Sequence, residues 1–244
     1  MAEGRPVRST LIVYDVSMTK MTMDKRSGSD SRGDSIVLGV DPSVKALGWA
    51  VIRVTQGTPG TGARAVLVAS GCERVRVDAS RRAGKGRGGN EWIGRMDHMI
   101  DAVDGVVREH GRTVRTPGGS YGRPVVDAVA VEWPIVFGAS HSDGAGAGSG
   151  SSRGDAAANS GDLLKLAAVA SGVRASLVAR GRVLATRAML VPVSVWKGQT
   201  PKSVTRARMM RRYGVGTVPA DHNACDAVGV ATWAVERWLR LVVA

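Results

Sequence analysis

The stretch Ser35-Ile-Val-Leu-Gly-Val-Asp41-Pro-Ser-Val-Lys-Ala-Leu-Gly-Trp-Ala-Val-Ile52 decides how the rest of the chain is read. Ile36 to Val40 is an apolar run of strand length that stops on a carboxylate and the turn-former Pro42. Leu47 to Val54 reads as a second strand, so the two form a hairpin with Asp41 at its mouth, held by rigid neighbours. An Asp in that place either caps the turn or serves as a positioned metal ligand, and its partners further along decide between the two.

Working outward, Arg64 to Val77 has strand composition and completes a three-stranded meander, and residues 81–87 form a basic, Gly-rich loop. Asn90 is a candidate N-cap for a helix whose Trp92, Met96, Met99, Ile100, Val103 and Val107 recur at helical spacing up to Gly111. Residues 112–123 read as a loop. Val125 to Val131 reads as another buried strand, and it ends on a second carboxylate, Glu132. Residues 138–161 are Gly-, Ala- and Ser-rich and read as a long mobile loop of the kind that is usually functional or disordered. Asp162 opens a helix closed by Gly181, and Met189 to Val193 is a strand, so strand, helix and strand alternate as a right-handed parallel crossover. A further helix starts near Pro201, and the last runs from about Asp221 to Arg240.

That last helix carries the third acid of interest. His222 and Asp226 lie four apart on one face, while Asp221 either N-caps the helix or reaches into the same space. Asp41, Glu132 and Asp226, on two strands and a helix packed across them, would converge into a carboxylate cluster. Like-charge repulsion makes such a cluster costly without a cation, and a hard divalent ion is its natural neutraliser. Magnesium is the expected ion, with manganese an acceptable substitute, and two such ions support phosphodiester hydrolysis.

Composition bounds the partners. The 244 residues carry 34 Lys and Arg against 21 Asp and Glu, a net charge of +13, which points to a polyanion and first to nucleic acid. The stretch from Trp196 to Arg212 contains Lys197, Lys202, Arg206, Arg208, Arg211 and Arg212 and no acid, and reads as a phosphate clamp. Residues 1–34 balance their charges almost evenly and are expected to be a disordered arm preceding one domain of ordinary size over 35–244. Two cysteines are too few for a disulfide framework, which implies a reducing compartment. No apolar run reaches the roughly 18 residues of a membrane span. A cytoplasmic location is the expectation.

In chain order, Val-Leu-Gly-Val-Asp41-Pro, Val-Ala-Val-Glu132 and Asp226-Ala-Val-Gly resemble the RuvC-like Holliday junction resolvases of the RNase H-like superfamily, particularly its phage and prophage branch. Asp162-Leu-Leu-Lys-Leu-Ala-Ala168 and Trp196-Lys-Gly-Gln-Thr-Pro-Lys202 also look like segments of that branch, so the resemblance spans about residues 36–236. It implies an α/β fold with a five-stranded mixed sheet flanked by helices, a homodimer, and magnesium-dependent nicking of branched DNA. Bacterial members place a fourth ligand three residues before the last Asp. Here that position is Asn223, with Asp221 and His222 beside it as candidate ligands. The family's junction-wedging aromatic falls at Ile135, which leaves Trp133 and Phe137 as candidate substitutes for stacking on an unpaired base. Two readings from other classes compete with this one. An actin-like ATPase would need a second copy of the opening hairpin after residue 140, and none is seen. A catalytically silent junction-binding scaffold would be expected to have lost one of the three acids, and all three stand.

Overall fold

The computed structural model describes residues 34–55, 63–74, 88–115, 122–134 and 160–242. The basic loop 81–87, Phe137, nearly all of the 1–34 arm and of the 138–161 loop lie outside these residues.

Strands β1 (Ser35–Pro42), β2 (Ala46–Thr55) and β3 (Arg64–Arg74) form the antiparallel meander that the opening stretch demands. Their β-branched and aliphatic residues pack on both faces, so β1 is buried along its whole length. Strands β4 (Arg112–Arg115) and β5 (Gly122–Val125) follow helix α1 (Gly88–His110), then β6 (Ala128–Trp133), α2 (Ser160–Ala179), β7 (Ala188–Pro192), α3 (Val193–Trp196), α4 (Lys202–Tyr213) and α5 (His222–Val242). The main sheet has the order β3-β2-β1-β6-β7, with β6 parallel to both β1 and β7. This is the expected five-stranded mixed sheet.

Two apolar layers sandwich it. Ile36, Leu38 and Val40 pack with Met99, Val103 and Val107 of α1 and Val169, Val173 and Leu177 of α2. On the other face, Val37, Ala50, Ala128, Ala130 and Val191 pack with Ala227, Val228, Ala231 and Ala234 of α5. Alternation along the strands therefore assigns each residue to a face.

Three expectations are corrected. The segment read as a loop over 112–123 contains β4 and β5, which pair antiparallel as a separate small sheet. The strand read from Val125 begins instead at Ala128, because Asp127 interrupts it. The Asp127 carboxylate accepts a hydrogen bond from the Ile36 amide at 2.9 Å and from the Arg112 guanidinium at 2.7 Å, so its side chain ties β6 to the start of β1. Helix α2 starts at Ser160, so the 138–161 loop ends before residue 160.

Candidate active site

The sheet register puts two acids side by side. Gly39 lies opposite Ala130 and Val40 opposite Val131 in the parallel β1–β6 pair, so one step further sets Asp41 beside Glu132. Both project to the α5 face, since Asp41 continues the row Val37, Gly39 and Glu132 the row Ala128, Ala130. They stand at the carboxyl ends of parallel strands, where open α/β sheets place their ligands.

Two glycines let α5 bring the third acid down to them. A Cβ at Gly39 would sit 2.3 Å from the Ala227 carbonyl oxygen, and one at Gly48, the β2 partner of Asp41, 2.0 Å from that of Asn223. Only a bare backbone permits this approach. Asp226 lies between those two contact points and is 7% exposed, like Asp41.

The cluster is electrostatically strained. Burial first, then the charges of Glu132 and Asp226, push the Asp41 carboxyl well above its ordinary range, against the opposing pull of Lys197 and Lys202. Burial and then Asp226 likewise push Glu132 from 4.5 up to about 7, partly offset by Lys197 and by a hydrogen bond from Trp196. Between pH 4.5 and 7 the folded chain thus holds more proton on Glu132 than the unfolded chain does, and stability falls as pH rises through that window. Glu132→Gln removes this penalty and keeps the Trp196 acceptor. Thermal unfolding in chelator is expected to show the variant gaining on wild type by on the order of 2 to 3 kcal/mol between pH 5 and 8. A gap that stays constant across that range would refute the repulsion.

Two site residues were not singled out as such by sequence reasoning. Trp196, at the end of α3, donates from Nε1 to a Glu132 oxygen at 3.0 Å, and Gly229 of α5 makes room for its ring. Lys197 lines the groove of the expected clamp and also reaches the acids. Its Nζ lies 2.7 Å from Asp226 Oδ2, with the two side chains 9% and 10% exposed.

The candidate fourth ligands are arranged differently. Asp221 caps α5, its Oδ1 accepting from the Asn223 amide at 2.9 Å and the Ala224 amide at 3.1 Å, and its Oδ2 is taken by Arg74. Burial alone would raise its carboxyl, but the bonds from Arg74 and Ala224 outweigh burial and hold it low. Of the two sequence readings the structure adopts the cap. His222 is exposed and lines a cavity of about 370 Å³ with Lys202, Arg206 and Asp226. Asn223 donates from Nδ2 to Ser43 Oγ at 3.2 Å, tying α5 to the turn that follows Asp41.

Of the remaining cations, Lys202, Arg208, Arg211 and Arg212 are exposed, and Arg212 pairs with Glu236. Arg208, Arg211 and Arg212 line a second cavity of about 480 Å³ between α4 and α5 that also touches Trp196 and Lys197. Trp133 is half-buried and packs on the α1–α2 layer of the core.

Among the described residues no three His, Cys, Asp or Glu side chains are already gathered tightly enough to hold a metal ion. The donor chemistry nevertheless fits one. Asp41, Glu132 and Asp226 offer hard oxygens, and the first two are pushed toward protonation by mutual charge that a divalent cation would relieve.

The fold is RNase H-like, with three acids at the mouth of its sheet. Among solved structures the chain is similar to Thermus thermophilus RuvC in complex with Holliday junction substrate, with 16% identity and a TM-score of 0.50 over 85% of this chain and 96% of that one. A further Thermus thermophilus RuvC structure has 18% identity and a TM-score of 0.47, over 84% of this chain and 96% of that chain. The first likeness shows the fold. No family model and no curated protein matches the chain. No helix among the described residues is long and apolar enough to cross a membrane.

Proposed function

We propose that this chain is a divalent-metal-dependent endonuclease that nicks four-way or related branched DNA, with Asp41, Glu132 and Asp226 as its metal ligands. The observation that carries the reading is the convergence of these acids, through the β1–β6 register and the Gly39 and Gly48 contacts, at one end of an RNase H-like sheet. Magnesium, as two ions with manganese as a substitute, would supply water activation and stabilisation of the leaving oxygen. The chain's own part is positional. Trp196 fixes one oxygen of Glu132, the tie from Asn223 to Ser43 holds α5 against the turn after Asp41, and the site lies next to a cationic groove that suits a DNA backbone. The branched substrate is taken from the structural neighbour, whose complex contains a Holliday junction.

The test is a panel of labelled four-way junction, flap, duplex and single-stranded DNA, incubated with magnesium or with chelator. Nicking confined to branched substrates and lost in chelator is expected. Equal cutting of linear duplex, or cutting in chelator, would contradict the reading, and tight junction binding without cleavage would favour the silent scaffold.

The clamp makes a quantitative claim. Each phosphate contact adds about 0.9 to the slope of log affinity against log salt. Arg206→Ala with Arg211→Ala is therefore expected to lower that slope by nearly 2, weakening junction and duplex binding alike, because phosphate contacts position without specifying. A slope equal to wild type would reduce this stretch to a solvated helix face.

A homodimer suits a substrate of twofold symmetry, which requires two matched nicks. Helices α1 and α2 run in the same direction, Met96 meeting Gly172 and Asp104 meeting Arg180 just past the end of α2, and each leaves a large apolar residue exposed near its start, Ile93 at 50% and Leu164 at 73%. Ile93→Glu with Leu164→Glu is expected to convert the dimer to monomer in light scattering. A wild-type protein that is monomeric both free and on a junction would contradict the dimer.

A further inference from the structure

We infer that Lys197 is the built-in counter-ion of the carboxylate cluster, and that its ammonium competes with a divalent cation for Asp226. The inference rests on the metal-ligand reading above and adds the competitor that sets metal affinity.

Nζ of Lys197 bonds Asp226 Oδ2 at 2.7 Å, and at 9% and 10% exposure neither side chain is compensated by bulk water. The ammonium also lies 5.3 Å from the centroid of the Trp196 ring, whose Nε1 is bonded to Glu132. Its charge lowers the cost of ionising Asp41 and Glu132 alike. Its backbone is pinned as well. The Lys197 and Gly198 amides both donate to the Val193 carbonyl, at 2.9 and 3.1 Å, and Gly198 turns the chain at φ +60°. The four-carbon stem is the part left free to move.

A divalent ion and the ammonium compete for this carboxylate, since both are drawn by its charge and the two cations repel at close range. Lys197 has somewhere to go. It lines the 480 Å³ groove with Arg208 and Arg211, so a displaced ammonium joins the cations facing the proposed DNA path. Metal loading would thereby add one phosphate contact, and by linkage DNA would favour the metal-loaded state.

The experiment is calorimetric titration of magnesium, and separately manganese, into the full chain without DNA, for wild type, Lys197→Met and Lys197→Arg. Methionine keeps the length and removes the charge, so the divalent Kd should fall about tenfold or more. Arginine keeps the competing cation, so its affinity should stay within about threefold of wild type even if Lys197→Met is poorly folded. Wild-type binding that Lys197→Met leaves unchanged or weakens would overturn the counter-ion role while leaving the metal site standing, as would a marked tightening in Lys197→Arg. Absence of divalent binding in wild type and both variants would overturn the metal reading and this inference together.

Discussion

Replacing Asp41 by Asn is expected to abolish nicking and to raise the unfolding temperature of the same protein. Asn keeps the size and loses the ligand charge. Metal-ion stabilisation of the transition state is worth several kcal/mol, so turnover of a labelled junction should fall at least about a hundredfold. Stability should move the other way, because burial and two acid neighbours make the ionised Asp41 unfavourable in the fold. A gain of at least about 2 °C in chelator is expected, since each kcal/mol is worth about 2 to 4 °C in a chain of this size. Asp226→Asn differs in a way that separates repulsion from pairing. It also loses activity, but it strips the 9% exposed Lys197 of its partner and should unfold at a lower temperature than wild type. Junction affinity should survive in both variants. Wild-type cleavage by either one would remove that acid from the site.

Gly48→Ala is expected to have the second large effect, although it adds only one methyl group. That methyl would lie 2.0 Å from the carbonyl oxygen and 2.1 Å from the carbonyl carbon of Asn223, both backbone atoms that cannot swing aside. The first turn of α5 must lift from β2, at an overpacking cost of about 1 to 3 kcal/mol. The same movement carries Asp226 away from Asp41, and a misplacement of about 1 Å costs on the order of a hundredfold in rate. Gly105→Ala is the control. It sits exposed in α1 with nothing within 4 Å of an added Cβ, and should be neutral or stabilising by up to about 1 kcal/mol. Equal denaturant midpoints for Gly48→Ala and wild type would mean that α5 does not seat as described.

The contrast between those two glycines bears on what was legible in the chain. Apolar runs of strand length and period-3.6 patterns sufficed for β1, β2, α1, α2 and α5, and the strand-end positions of Asp41 and Glu132 followed from them. A glycine inside a strand signals close backbone approach, so Gly39 and Gly48 hinted at the packing of α5 without saying which helix would arrive. Asp127 was passed over because Val125, Val126, Val129 and Val131 surround it and make one apolar run. Its side chain, bonding the Ile36 amide, breaks the strand through a contact 91 residues away. Lys197 was grouped with the cations of α4 because it adjoins them in sequence. The Gly198 turn and the Pro201 cap separate it from α4, and the Asp226 contact 29 residues away decides its place. Asp221 left two readings open, and the free amides of the first turn of α5 decided for the cap.

The central claim is that Asp41, Glu132 and Asp226 form one divalent-cation centre. Anomalous scattering from manganese in crystals of the full chain tests it most directly. A peak bounded by oxygens of these three residues, with the Lys197 ammonium drawn away from Asp226, is the expected result. A peak elsewhere, on Asp221 or His222 for instance, or no peak between the three acids at saturating manganese, would contradict it.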